Sequence, residues 1–219
     1  MAKLVIFGTG DVAQIAAVYF TQDSEHEVRA FTVNKDYIKE ASFEGCPVVA
    51  FEEVAAIYPP SEYKMFIALS YAKMNRVREE KYHEAKNLGY ELVTYVSSKC
   101  TYLSQHPPGD NCFIFEDNTI QPFVQIGNNV ILWSGNHIGH HSLIEDHNFI
   151  SSHVVVSGHC SIQSNCFVGV NSSLAHKVTL AKGTLVGAGA TITKDTEANS
   201  IYVPAKSVKL EKTSDQVTL

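Results

Sequence analysis

The sequence lacks the features of a secreted, membrane-bound or nucleic-acid-binding protein. No apolar run approaches the length of a membrane span, and the first residues, MAKLVIFGTG, lack the apolar core and cleavage site of a signal peptide. Lysine and arginine total 17 against 23 acidic residues, which gives a net charge of −6 with no long basic run. We therefore expect a cytoplasmic protein that binds neither membranes nor nucleic acid.

Cysteine pairs of the redox or metal-binding type are also missing. The five cysteines are an odd number and include no CxxC motif, a pattern typical of reduced thiols in a cytoplasm. Three of them, Cys112, Cys160 and Cys166, fall at small-residue positions of the repeat described next, where packing accounts for them.

The sequence does contain a six-residue repeat over residues 111–195. Every sixth residue from Ile114 to Ile192 is aliphatic, without insertions, and such a period is typical of a solenoid. Three positions after each aliphatic residue, from Asp117 to Asp195, the chain mostly has Gly, Asn, Asp or His, which tolerate the positive φ of a tight corner. Phe123 and Lys177 are the exceptions. The repeat predicts three short strands per coil, with residues 18 apart stacked in neighbouring coils.

Residues 1–98 alternate between strand and helix patterns. The predicted strands are 3–7, 27–32, 47–50, 65–69 and 91–96, and the predicted helices are 11–22, 51–58 and 73–88. This order predicts a small parallel α/β domain of Rossmann-like type. We expect a linker at 99–110, the solenoid at 111–195, and a polar tail at 196–219 that has lost the period.

A glycine-rich turn, Gly8-Thr9-Gly10, follows the first strand and precedes a helix that Asp11 is placed to cap. Backbone N–H groups of such a turn bind phosphate or diphosphate. A dinucleotide site also needs an acid after the second strand, where this chain has Val33-Asn34. The turn therefore favours a nucleotide-diphosphate ligand over NAD, with a purely structural turn as the alternative.

Seven of the ten histidines lie between residues 137 and 176, and four of these occupy corner positions: His141, His147, His153 and His159. His140 stands one position before the corner, and the residue 18 positions further on is Gly158. The imidazole of His140 therefore has free space beside it. This arrangement suits a general base, with an exposed histidine of no special role as the alternative.

With the solenoid, the GTG turn and the segment Ile138-Gly139-His140, the chain resembles the bacterial nucleotide-sugar acyltransferases of the sialic-acid-locus, bacillosamine and perosamine N-acetyltransferase type. The resemblance implies a left-handed parallel β-helix that forms homotrimers and binds acetyl-CoA between subunits. It implies that the first domain binds a nucleotide-diphosphate aminosugar, such as a 4-amino-4,6-dideoxyhexose, for bacterial surface glycan (lipopolysaccharide O-antigen) synthesis. No metal is implied.

The same resemblance assigns roles to particular residues. His140 is the general base, and His141 stands where the family has an orienting acid, with Glu145 and Asp146 as nearby alternatives. Trp133 replaces a family asparagine. The implied acetyl-CoA contacts are Phe149, Gly158, Val170 and Ala188. The implied nucleotide-sugar contacts are Gly8, Gly10, Asp11, Asn34, Ser70, Asn75 and Arg78, with a solvated helix charge as the alternative for Arg78.

Apolar residues that point outward from the coils indicate an interface between copies of the chain. They are Phe113, Ile131, Leu143, Phe149, Val155 and Phe167. Three other functions stay open. The first is an O-acyltransferase, whose acceptor is a hydroxyl group rather than an amine. A metal-dependent solenoid of the γ-carbonic-anhydrase type is the second, although Ala181 stands where its third histidine belongs. The third is a non-catalytic nucleotide-sugar sensor.

Overall fold

The computed structural model describes residues 2–207, 209 and 211, so most of the predicted tail beyond residue 207 lies outside the described residues. The first domain has a five-stranded sheet in the order β3-β4-β2-β1-β5. Its strands are β1 (Ala2–Phe7), β2 (His26–Val33), β3 (Ser42–Phe43), β4 (Cys46–Ala50) and β5 (Tyr63–Ile67). All pairs are parallel except β3 with β4, a short hairpin that the sequence did not reveal.

Three helices complete this domain: α1 (Asp11–Gln22), α2 (Val54–Ile57) and α3 (Arg76–Asn87), with 3₁₀ turns at Lys35–Tyr37 and Phe51–Glu53. The prediction that Asp11 caps α1 is wrong, because Gly10 occupies the N-cap position and no side chain caps the helix. Helix α3 begins three residues later than predicted. Lys73, Met74 and Asn75 all have positive φ, which prevents helix before Arg76.

The second domain is a solenoid of two-residue strands on three flat faces. We call the seven-stranded sheet the first face, the six-stranded sheet the second face and the four-stranded sheet the third face. The first face comprises β6 (Tyr95–Val96), β8 (Phe113–Ile114), β11 (Ile131–Leu132), β14 (Phe149–Ile150), β17 (Phe167–Val168), β20 (Leu185–Val186) and β22 (Ile201–Tyr202). The second comprises β7 (Thr101–Tyr102), β9 (Thr119–Ile120), β12 (His137–Ile138), β15 (Val155–Val156), β18 (Ser173–Leu174) and β21 (Thr191–Ile192). The third comprises β10 (Gln125–Ile126), β13 (Leu143–Ile144), β16 (Ser161–Ile162) and β19 (Thr179–Leu180).

The register of the solenoid follows the predicted 18-residue step. His137 pairs with Val155, and Leu143 pairs with Ser161, in parallel ladders. All fourteen aliphatic residues of the repeat are buried inside the prism. The corners that join the faces form three edges: the first edge lies between the first and second faces, the second edge between the second and third, and the third edge between the third and first.

The corner positions adopt the predicted positive φ, including the four histidines, whose φ lies between 57 and 62°. Phe123 and Lys177, whose residue types are unusual there, also have positive φ, of 67 and 65°. Position in the repeat therefore overrides residue preference at these two corners. Asp195 was predicted to be a corner of this kind, but it does not have positive φ. It follows β21, the last strand of the second face, and the next strand, β22, belongs to the first face.

The predicted boundaries of the solenoid are too narrow at both ends. Tyr95–Val96 and Thr101–Tyr102 pair with strands 18 residues later, so residues 99–110 supply part of the first coil rather than a free linker. Beyond residue 195, Ile201–Tyr202 pairs with β20. Since β6 belongs to the first face, the predicted strand 91–96 contributes only a bridge at Leu92 to the sheet of the first domain.

The first domain packs on the first face of the solenoid. Phe113, Ile131 and Phe149 are buried there, next to Phe20 of α1, and Phe167 is half-buried. These four residues were predicted to contact another copy, and that prediction is wrong for them because the chain's own first domain covers them. Leu143 and Val155 do remain exposed, by 39% and 46%.

A search of the helices in the described residues finds none that is both long and apolar enough to cross a lipid bilayer.

Candidate active site

The GTG turn opens onto a cleft of about 460 Å³ between the two domains. Gly10, Asp11 and Val12 at the start of α1 form one side of the cleft, and Ala68, Leu69 and Ser70 after β5 form another. The amides of a first helical turn have no partner within the helix and favour anions. Three of the predicted nucleotide-sugar residues, Gly10, Asp11 and Ser70, therefore line one cleft.

The two glycines of the turn differ in what they do. Gly8 has a φ of 125°, and a Cβ there would lie 2.8 Å from the carbonyl oxygen of Ala68. Glycine at this position is a requirement of the fold. At Gly10 a Cβ would meet nothing within 4 Å, so this glycine keeps the cleft open rather than relieving a clash.

Aromatic side chains form the solenoid side of the cleft: Tyr71, Trp133 and Phe149. Tyr71 packs edge-on against Phe149, with ring centres 5.0 Å apart. The indole Nε1 of Trp133 is buried and has no hydrogen-bond partner among the described residues. Buried indole N–H groups usually have a partner, so this donor is an exception among the described residues. Phe149, which was predicted as an acetyl-CoA contact, also lines this cleft.

Arg78 and Asn75 are not available to a ligand, so their prediction as nucleotide-sugar contacts is wrong. Arg78 is fully buried, and its Nη1 donates to the carbonyl of Ser70 at 2.7 Å. Its Nε donates to Asn129 Oδ1 at 3.2 Å and its Nη2 to the carbonyl of Asn148 at 3.1 Å. Asn75 Nδ2 donates to the carbonyl of Cys166. Both side chains join α3 to the third edge of the solenoid.

Burial lowers the pKa of Arg78 to about 9, which still leaves the guanidinium charged at neutral pH. Within the described part of the chain no carboxylate pairs with it, and main-chain carbonyls and amide oxygens solvate the charge instead. A buried charge held in this way is tolerated only while every donor is satisfied. The alternative interpretation, that Arg78 is a solvated charge on the helix surface, is therefore also wrong.

Asn34 lies apart from the cleft, at the end of β2. Its Nδ2 donates to Glu52 Oε1 at 2.9 Å, and Glu52 also accepts from the amide of Lys35. The side-chain bond to Asn34 is the main reason why the pKa of Glu52 is lowered. An acid therefore does stand near the end of the second strand, supplied by a later segment that the motif spacing could not reveal.

His140 lies at the second edge of the solenoid with its imidazole exposed. The ring covers Gly158 of the next coil: a Cβ at Gly158 would come within 2.7 Å of His140 Cε1 and Nε2. Only glycine leaves room for the imidazole in this position. The main-chain amide of His140 donates to Gln121 Oε1 at 2.9 Å, which fixes the backbone beneath the ring.

The side-chain partner of His140 is His141. Their Nδ1 atoms lie 3.0 Å apart, close enough for one to donate a proton to the other. His141 has a φ of 59°, as its corner position requires, and its ring stacks on His159 with centres 4.7 Å apart. His141 is therefore both a corner residue and the hydrogen-bond neighbour of His140 Nδ1.

Glu145 and Asp146, the alternative orienting acids, lie on the third edge of the prism. Glu145 accepts from the amide of Ser164, and Asp146 accepts from the amide of Asn128. His140 is on the second edge, so neither acid orients it within the described chain.

The remaining predicted acetyl-CoA residues divide between two edges. Gly158 lies beside His140 on the second edge, whereas Val170 and Ala188 lie on the first edge, between β17 and β18 and between β20 and β21. Val170 is 41% exposed. The first edge also carries Trp133. One chain therefore presents the cleft with Val170 and Ala188 on one edge and His140 with Gly158 on another.

A larger cleft, of about 760 Å³, lies between α1 and the first coils. Several of its polar groups are bonded to each other: Tyr19 donates to Glu116, and the amide of Ser98 donates to Asp23. It contains none of the predicted site residues, and we do not assign it a substrate.

All five cysteines are free, and burial raises the pKa of Cys112 to about 12 and of Cys166 to about 11. Thiols of this kind are poor nucleophiles. The prediction that the solenoid cysteines serve packing is confirmed, since Cys112, Cys160 and Cys166 are buried in its core.

Residues 159–194 match the family model described as bacterial transferase hexapeptide (six repeats). The parallel ladders and this match together support the predicted left-handed β-helix. No curated protein matches the chain.

Solved structures share the whole two-domain fold. The acetyltransferase domain of PglB from Neisseria gonorrhoeae FA1090, in complex with acetyl coenzyme A, matches with a TM-score of 0.80 and 20% identity, over 94% of this chain and 98% of that one. PerB from Caulobacter crescentus, in complex with CoA and GDP-perosamine, matches with a TM-score of 0.80 and 19% identity, over 93% and 95%. WeeI from Acinetobacter baumannii AYE matches with a TM-score of 0.79 and 17% identity, over 93% and 97%. The resemblance to this group is thus confirmed in fold.

Proposed function

We propose that the protein is an acetyl-CoA-dependent N-acetyltransferase that acts on the amino group of a nucleotide-linked aminodeoxysugar. The observation that carries the proposal is His140, an exposed imidazole that lies over Gly158 and has its Nδ1 3.0 Å from that of His141. The acetyl-CoA, CoA and GDP-perosamine in the structures of similar proteins support the two substrate classes.

His140 acts as the general base through Nε2. For Nε2 to accept a proton, the neutral ring must carry its hydrogen on Nδ1, and His141 Nδ1 is placed to accept that hydrogen. His141 is therefore a positioning residue that replaces the usual acid with a neutral acceptor. As the sugar amine attacks the thioester carbonyl, its proton passes to His140 Nε2, and the C–S bond then breaks. The CoA thiolate leaves and takes up the proton.

The acceptor binds in the cleft beside the GTG turn. The diphosphate lies at the first-turn amides of α1, around Gly10 and Asp11. The aromatic rings of Tyr71 and Trp133 contact the sugar or the base. Ser70 adds a polar contact at the rim.

A complete site needs more than one copy of the chain. The acceptor cleft, Val170 and Ala188 belong to the first edge, whereas His140 belongs to the second. In a homotrimer the second edge of one subunit lies against the first edge of its neighbour, which joins base, acetyl-CoA and acceptor. The exposed Val155 and Val170 supply apolar surface for that contact.

The test is a screen of purified protein with acetyl-CoA and nucleotide-linked 4-aminosugars that carry uridine, thymidine or guanosine. Free CoA thiol and the mass of the product are measured, with hydroxyl analogues of each sugar as controls. We expect thiol release and one added acetyl group with at least one aminosugar. Acetylation of the hydroxyl analogues alone would make the enzyme an O-acetyltransferase, and no transfer to any acceptor would contradict the proposal.

A further inference from the structure

Three histidines on the second edge have the spacing of a metal site. One ligand nitrogen from each of His140, His141 and His159 can be chosen so that all lie within 4.8 Å of one another. Zinc binds imidazole at about 2.0–2.1 Å, so nitrogens of a tetrahedral site lie roughly 3.3 Å apart. The Nδ1 atoms of His140 and His141 are already 3.0 Å apart. All three rings are exposed, which leaves the side chain of His159 free to rotate towards the same ion.

A fourth imidazole, that of His176, lies next to the three. The ring of His176 lies 5.4 Å from that of His159, centre to centre, and is a fourth imidazole within reach. Neutral imidazoles are preferred ligands of zinc and similar divalent ions.

From this geometry we infer that His140, His141 and His159 bind Zn²⁺, and that the bound ion inhibits acetyl transfer. Binding itself is independent of the proposed function, whereas inhibition rests on it. Zinc replaces the proton that His140 and His141 share between their Nδ1 atoms. Each ring then carries its hydrogen on Nε2. The Nε2 lone pair of His140, which takes the proton from the amine, is thereby lost.

A second group of possible ligands, Glu79, His83 and His147, lies at the third edge and does not suit a cation. Asn129 Oδ1 accepts from Arg78 and Asn111, both of which are donors, so its Nδ2 must face His147 Nδ1. Neutral His147 therefore carries its proton on Nε2, directed towards Glu79 Oε1 at 3.7 Å. This ring has no lone pair left for a metal.

Calorimetric titration of the full chain with zinc chloride tests binding. We expect one ion per chain in the wild type and at least roughly 10-fold weaker binding in His159→Asn, the lower end of what a disturbed zinc site loses. Asparagine tolerates the φ of 58° at this corner, so the fold is kept. The matched control His83→Asn should bind zinc like the wild type. Equal binding by wild type and His159→Asn, or a loss confined to His83→Asn, would overturn the proposal.

A kinetic experiment tests the consequence. Zinc should inhibit acetyl transfer by the wild type, and a chelator should restore it. His159→Asn should retain wild-type activity without zinc and resist inhibition at concentrations that stop the wild type. Equal inhibition of both proteins would contradict the inferred site. If no acceptor is acetylated, the proposed function fails, while the calorimetric result still decides whether the zinc site exists.

Discussion

The guanidinium of Arg78 donates to the side-chain oxygen of Asn129, 51 positions later in the chain, across the boundary between the two domains. Arg78 is fully buried, and its other bonds go to Asn75 Oδ1 and to the main-chain carbonyls of residues 70, 129, 147 and 148. Helix α3 is therefore fixed to the third edge of the solenoid, which sets where the GTG cleft lies on the first face.

Replacing Arg78 should destabilise the protein without a selective effect on either substrate. Arg78→Met leaves several buried acceptors unpaired, which should cost about 3 kcal/mol or more in the free energy of unfolding. Denaturant unfolding measures this loss. Arg76→Met, at an exposed position on the same helix, is the control and should be close to neutral. If Arg78→Met had normal stability and a raised KM for the nucleotide sugar alone, this structural role would be contradicted and Arg78 would instead be a ligand of the diphosphate.

The two glycines of the GTG turn should respond differently to substitution. Gly8→Ala forces a side chain into a φ of 125° against Ala68, so it should lower Tm or prevent folding. Gly10→Val meets no neighbour, so the fold should survive. Its branched side chain fills the cleft, and the KM of the acceptor should rise strongly while acetyl-CoA affinity stays unchanged. Equal losses for both substrates in a folded Gly10→Val protein would contradict the assigned cleft.

Gly158 should be essential for activity but not for folding. A Cβ there meets the imidazole of His140 and no backbone atom at comparable distance. Gly158→Ala should therefore displace the ring while leaving Tm nearly unchanged, and kcat should fall. Gly139→Ala is the contrasting variant, because its Cβ would meet main-chain atoms of Gly158 at 2.6 Å and should disturb the coil itself. Full activity in Gly158→Ala would show that the observed position of the ring is not the active one.

His147 should make stability depend on pH. Burial is the main reason why the pKa of His147 is lowered. The negative charges of Glu79 and Asp146 act to raise this pKa, whereas His83 and Arg78 lower it further. An unfolded histidine titrates near about 6.5, so the unfolded chain takes up a proton that the folded chain resists. The contribution of this residue is therefore fully present above that pH and is lost as pH falls below it.

The measurement is the unfolding free energy of wild type and His147→Asn between neutral and mildly acidic pH. Asparagine already occupies corners of the same edge at Asn129 and Asn165, so the backbone should accept it. The variant should be less stable at neutral pH and less sensitive to acid. His153→Asn, at an exposed corner, should keep the wild-type slope. An unchanged slope in His147→Asn would contradict this origin of the pH dependence.

The solenoid could be predicted from the sequence because its core obeys one rule in every coil. A buried aliphatic every six residues fixes the strands, and an 18-residue step correctly placed His140 over Gly158. The same step, traced backwards, would have found the first coil at Val96 and Tyr102. The proline at position 108 interrupts the series and concealed it.

Contacts between the domains could not be predicted in this way. Outward apolar residues such as Phe113 and Phe149 have the same pattern whether another copy or the chain's own domain covers them. Among the described residues Arg78 has no carboxylate partner that a sequence pattern could reveal, because its acceptors are amide oxygens and main-chain carbonyls, several of them supplied by distant coils. Its burial therefore becomes visible only in three dimensions.

The proton acceptor is the centre of this account, and kcat/KM for acetyl transfer tests it most directly. The proteins to compare are wild type, His140→Asn and His141→Asn, with acetyl-CoA binding measured in parallel. We expect His140→Asn to bind acetyl-CoA normally and to lose about 10²–10⁴-fold in kcat/KM, the usual cost of removing a general base. His141→Asn, which keeps the corner but loses the Nδ1 acceptor, should lose less. Full activity in His140→Asn, or a larger loss at His141 than at His140, would contradict the assignment.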